Sequence, residues 1–138
     1  MKRISLAEVE FVAHSLAQEL MTWDEPIPEF RTRYPKVLES CIDTPFQTFG
    51  KKPLYGGLSG KAAILFYLLV KNHPFQNGNK RVAMTTLLYF LAKNKKWLKV
   101  DNQEFYNFAK WVATSNPKFK DETVRAIEKF VRIYLVSL

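Results

Sequence analysis

"SGKAAILFYLLVKNHPFQNGNKRVAMTTLLYFLAKNKKW", residues 59–97, decides the fold. From Ala62 to Val70 apolar side chains cover every face of a helix, and Val82, Ala83, Leu87, Leu88, Phe90 and Leu91 are spread almost as broadly. A helix that is apolar all round has to be buried. A short polar loop joins the two segments, which predicts an antiparallel pair at the centre of the molecule, the first helix capped by Ser59.

Working outward, "SLAEVEFVAHSLAQELM" (5–21) repeats apolar residues at three- and four-residue spacing, so one amphipathic helix capped by Ser5 is expected there. "TWDEPIPEF" (22–30) is broken by Pro26 and Pro28 and reads as a loop, followed by a short helix around Tyr34–Ile42. In "DTPFQTFGKKPLYGG" (43–57) the pairs Thr48-Phe49 and Leu54-Tyr55 lie either side of "GKKP", the pattern of a small hairpin or flap. An extended "WLKV" (97–100) precedes a helix that Asp101 and Glu104 would start as a capping box, and the chain ends in a helix capped near Asp121. The predicted architecture is all-α, a helical bundle around two central antiparallel helices with one small β-hairpin flap.

With 138 residues, 47% of them hydrophobic, the chain suits a single domain over 1–138. Its longest apolar run is too short for a bilayer, and "MKRISLAEVEF" has acidic residues where a signal peptide needs a greasy run, so a cytoplasmic, non-membrane protein is expected. The net charge of +8 suits an anionic partner. The cations are scattered, however, without a basic tract or finger signature, and nucleic acid ranks well behind a nucleotide or an acidic protein segment. Cys41 is alone and reads as a small packed side chain. His14 has no second ligand at helical spacing and is best taken as packed or surface. Phe105, Tyr106, Phe108 and Trp111 have helical spacing and suit the core better than a base-stacking role.

The loop "KNHPFQNGNKR" (71–81) is chemically unlike its flanks. His73-Pro74 closes one helix, Phe75 would turn inward as an anchor, and Gly78 permits a tight backbone. Free N–H groups around Asn79 and Lys80 would then open the next helix beside Lys80 and Arg81, a natural seat for phosphate. The His73 imidazole could accept a hydroxyl proton there. Phosphoryl or nucleotidyl transfer fits; so does ordinary turn and cap chemistry, and spacing alone does not choose.

"HPFQNGNKR" resembles the signature of the Fic/Doc family, His-x-Phe-x-Asp/Glu-Gly-Asn-Gly/Lys-Arg, and "LES", "TFG", "LY", "KAAILFYLLVKNHPF" and "LLYFLAKNKKW" are similar to the Doc-type branch in order and spacing. The resemblance covers roughly residues 37–98 and implies a Fic-like bundle that uses ATP with Mg2+ to modify a hydroxyl on a target protein. His73 then looks like the general base and Phe75 like the anchor. Gly78, Asn79 and Lys80 resemble the phosphate cradle, and Arg81 the phosphate-binding arginine. Thr48, Phe49, Gly50, Lys51, Lys52 and Pro53 match the flap that aligns the target by strand addition; Lys51 and Lys52 equally suit plain solubility.

Three positions depart from the pattern. Asn77 stands where the family has a metal-binding acid, and its neutral amide would hold Mg2+ more weakly. Lys80 replaces a glycine and Met84 a further arginine of AMP-transferring members, and both changes point to the Doc branch. The resemblance therefore implies a toxin-type enzyme moving the γ-phosphate of ATP to a Thr or Ser of a protein such as a translation factor. AMP transfer is the runner-up, and a nucleotide- or partner-binding module weakened at Asn77 is the third reading. Ser15 and Glu19 have the spacing of the family's inhibitory helix, but Leu20 replaces its Gly or Asn, so a separate antitoxin is the expected restraint.

Overall fold

The computed structural model describes the backbone of residues 1–138 and every side chain but that of Val12. Its centre is the expected pair, α4 (Gly57–Lys71) and α5 (Asn79–Lys93), with every residue of 60–70 and of 81–87 buried. The short connection 72–78 turns the chain back, so the two run antiparallel. Around them lie α1 (Leu6–Glu8), a π-helical segment (Val9–His14), α2 (Ser15–Leu20), α3 (Pro35–Asp43), α6 (Asn102–Thr114) and α7 (Lys120–Tyr134). α7 packs on α4, and the π segment packs on α5. Among the described residues no helix is long and apolar enough to cross a membrane.

The N-terminal stretch is one helical rod with a π turn where a uniform α-helix was expected. Ser5 starts it with a reciprocal capping box to Glu8. Glu8 also fastens the rod to α5, accepting from Tyr89 Oη and Lys93 Nζ, each at 2.6 Å. Further along, the buried Thr85 hydroxyl of α5 donates to Ala13 O at 2.8 Å, a carbonyl of the π segment. π turns leave backbone carbonyls free for such partners.

The flap is a hairpin of β1 (Thr48–Phe49) and β2 (Lys52–Pro53), with Thr48 opposite Pro53. Gly50 and Lys51 at its tip have φ of 57° and 66°, the two positive values of a type I′ turn. That tight turn places the second strand two residues before the expected Leu54-Tyr55. α4 likewise starts earlier than expected, with Gly56 at the N-cap, which leaves Ser59 in the first turn.

The C-terminal end differs from expectation. Asp101 caps α6 by accepting from Gln103 N and Glu104 N, but Glu104 accepts from Tyr134 Oη instead of closing the box. α7 begins at Lys120 with Phe119 at its N-cap and Asp121 in its first turn, and it stops at Tyr134. Residues Leu135–Ser137 form β4, antiparallel to β3 (Lys96–Leu98). Helical spacing of apolar residues carried the prediction through to the end, but the edge of "KWL" offers ladder bonds that only the folded chain brings within reach. Cys41 is buried, and burial pushes its thiol up to about 12. Phe108 stacks on Phe130 at 4.0 Å between α6 and α7, whereas Trp111, expected in the same core group, is 48% exposed.

Candidate active site

α4 and α5 are buried at the centre of the molecule, so the loop between them is anchored at both ends. His73 is exposed and adopts φ 49°, a left-handed conformation costly for a side chain bearing Cβ. The next residues hold it there. Pro74 O accepts from Tyr34 N at 2.8 Å, and Phe75 is 3% exposed, its ring 5.3 Å from His14 and 5.9 Å from Phe30. Asn79 then closes the loop like a clasp: Oδ1 accepts from Phe75 N and Nδ2 donates to Phe75 O, both at 2.9 Å. Asn79 Nδ2 also lies 3.5 Å from His73 Nδ1, which brings the imidazole over the start of α5 at a distance too long to set its tautomer.

Gly78 is the N-cap of α5 with φ 77°. No side chain caps that end, so the first-turn N–H groups of Asn79, Lys80 and Arg81 lack helical acceptors. Partial positive charge therefore gathers beside the half-buried Lys80 and the exposed His73. The structure thus brings His73, Gly78, Asn79 and Lys80 together at one helix end. The hairpin 48–53 is a separate exposed feature, with Phe49 80% exposed; the base of the flap is tied to α4 through Lys61, which donates to Tyr55 O.

Arg81 departs from its expected place. It is 3% exposed, and its guanidinium is taken up by backbone carbonyls: Nη1 donates to Met21 O at 3.0 Å and Trp23 O at 2.7 Å, and Nη2 to Glu25 O at 2.5 Å. Instead of standing open to a phosphate, it holds the segment 21–28 across the loop. Gln18 Nε2 donates to Ile27 O at 3.1 Å, and the imidazole of His14 bonds Pro28 O through Nε2 at 3.0 Å. Of the packed and surface readings left open for His14, the structure shows the packed one, 2% exposed, and burial holds its pKa below the ordinary value against the pull of that carbonyl and of Glu10.

This strap is the part of the site that sequence reading passed over as a connector. Asn77 Nδ2 donates to Glu25 Oε2 at 3.1 Å, and Tyr106 Oη donates to Asp24 Oδ2 at 3.0 Å. The Tyr106 hydroxyl, the Glu25 N–H and the charges of Arg81 and Lys80 keep the Asp24 carboxyl below its ordinary range. The available signal was an Asp-Glu pair, followed at once by proline, in a chain with 21 basic and 13 acidic residues.

A Fic/DOC family model matches residues 4–91, well over half of the chain. The chain belongs to the Fic/DOC family. The match takes in the strap, the hairpin, α4 and the loop, and ends within α5. Fic/DOC proteins are in general transferases that modify other proteins. No curated protein and no solved structure matches this Fic/DOC chain.

Proposed function

We propose that this chain is a Doc-type transferase that moves the γ-phosphate of ATP to a Thr or Ser hydroxyl of a target protein. The observation that carries the reading is the exposed His73 held beside the uncapped, cationic start of α5. In the transfer, the target oxygen forms a bond to phosphorus as the bond to the bridging oxygen of ADP breaks. His73 accepts the hydroxyl proton, and ADP leaves with the bridging oxygen. The N–H groups of 79–81 and the Lys80 ammonium face the phosphate, where phosphoryl transfer needs positioning and charge neutralisation most. Asn79 keeps His73 and the helix end in fixed relation, and Arg81 holds the strap. The hairpin 48–53 is suited to align an extended target segment by strand addition.

A magnesium ion would neutralise charge on the nucleotide phosphates. Among the described residues no group of three acidic, His or Cys side chains forms a cage. Mg2+ usually takes one or two carboxylates plus phosphates and water, so the Asn77 oxygen and a single nearby carboxylate are a fitting donor set. Glu19, the candidate inhibitory glutamate, is exposed on α2, and Arg81 is occupied by the strap, which supports a separate regulatory protein.

Incubation of a cell lysate with ATP labelled at the γ or the α position tests the reading. Label from γ alone, lost with His73→Ala, is the expected result. Retained α label would replace phosphate transfer by AMP transfer, and no label from either, with nucleotide still bound, would make the chain a binding module.

A further inference from the structure

We propose that Glu25 supplies the carboxylate that the loop lacks at Asn77, so that the cation accompanying the nucleotide is held from the strap. This rests on reading the site as nucleotide-binding. Asn77 is a neutral amide between His73 and the start of α5, and its Nδ2 donates to Glu25 Oε2 at 3.1 Å. A carboxylate from a segment about fifty residues away in sequence thus touches the one loop side chain whose chemistry is deficient for a hard cation.

Its delivery is built, not incidental. The Glu25 carbonyl receives Arg81 Nη2, the neighbouring Trp23 and Met21 carbonyls receive Nη1, and this arginine is 3% exposed. Pro26 follows directly and stiffens the backbone, while Gln18 secures the strap on its far side. Arg81, in this arrangement, is a positioning residue for Glu25.

The two carboxylates of the strap have different fates. Asp24 is engaged by the Tyr106 hydroxyl, whereas Glu25 forms no ion pair among the described residues, although Lys80 and Arg81 lie in the same site. Its partner is an amide. Rotation of the Asn77 carboxamide by half a turn exchanges Nδ2 for Oδ1, and the hydrogen bond becomes a pair of oxygens, one charged and one neutral, facing the same point. One carboxylate and one carbonyl-type oxygen, completed by phosphate and water, are what a magnesium-class cation takes.

Mn2+ is the probe, titrated by EPR into native protein, Glu25→Gln, Asn77→Asp and the double variant, each with a non-hydrolysable ATP analogue. Glutamine keeps the shape of Glu25 and an oxygen for Asn77, so thermal melting is expected to be unchanged. Loss of a direct ligand should weaken Mn2+ binding at least as much as loss of an outer-shell partner does, about tenfold or more. Asn77→Asp in the Glu25→Gln background should restore it. Mn2+ affinity in Glu25→Gln equal to native overturns the proposal. So does native protein that binds the analogue without a Mn2+ site while Asn77→Asp has one; the nucleotide reading then survives. Failure of all four proteins to bind the analogue overturns both.

Discussion

Gly78→Ala puts the hinge of the site to a quantitative test. At φ 77° the added Cβ costs about 1–2 kcal/mol from backbone conformation alone. It would also lie 2.6 Å from Ile27 Cγ1, far inside contact distance, and a tight 3.3 Å from Ile27 Cβ and Cδ1. Ile27 cannot step aside cheaply, because its carbonyl is bonded to Gln18 and its side chain belongs to the core. Relieving such an overlap costs about 1–3 kcal/mol, so the total is about 2–5 kcal/mol. With a urea slope of about 2 kcal/mol per molar, the unfolding midpoint should fall by roughly 1–2.5 M. Gly50→Ala is the internal control: its φ is 57° and nothing lies within 4 Å, so only the backbone cost of about 1–2 kcal/mol applies. Ile27→Ala, which removes Cγ1 and Cδ1, should remove most of the difference between the two glycine sites in a double-mutant cycle, with a coupling of about 1–3 kcal/mol. If Gly78→Ala costs no more than Gly50→Ala, or the coupling is nil, the strap does not press on the helix start and the site geometry is misread.

Three further outcomes are expected. Burial opposes charge on Glu8, but hydrogen bonds from Lys93, Tyr89 and Ser5 outweigh it and lower the carboxyl from 4.5 to about 2. Because the folded value is the lower one, this stabilisation is complete above pH 4.5 and fades as pH falls toward 2. With the side chain 23% exposed, about 1–2 kcal/mol is at stake, and Glu8→Gln should flatten the loss of melting temperature between about pH 5 and 3. Thr85→Val removes the bond to Ala13 O and should destabilise by about 1 kcal/mol, while Thr86→Val deletes a buried hydroxyl with no partner and should leave stability equal or higher, both read by urea unfolding. His73→Ala should abolish label transfer while leaving the melting temperature within a few degrees, since the ring is exposed and its side-chain hydrogen bond is the long 3.5 Å one to Asn79; a collapse in stability would make His73 structural.

The central helices, the hairpin and the loop were legible because each depends on local chemistry. Apolar residues on all sides of 62–70 have one solution, burial, and a glycine before "NKR" frees the backbone for a tight turn into the next helix. The strand Leu135–Ser137 was not legible, because helical periodicity runs through to the last residues and the ladder to Lys96–Leu98 joins distant parts of the chain. The fate of Arg81 was equally hidden. A cation at a helix start invites an anion, and nothing local says that three carbonyls of residues 21–25 reach it first.

By itself the sequence determined the bundle, its buried pair and a loop that sets a histidine beside a helix N-terminus. Which distant residues surround that loop follows from the three-dimensional packing alone. Helices follow from contacts within one turn, but the strap joins the site through Arg81, Asn77 and Ile27, pairings across more than fifty residues. Spacing along a chain carries no record of such neighbours. They exist because α5 presents Arg81 buried, and a buried guanidinium must find acceptors wherever the fold supplies them.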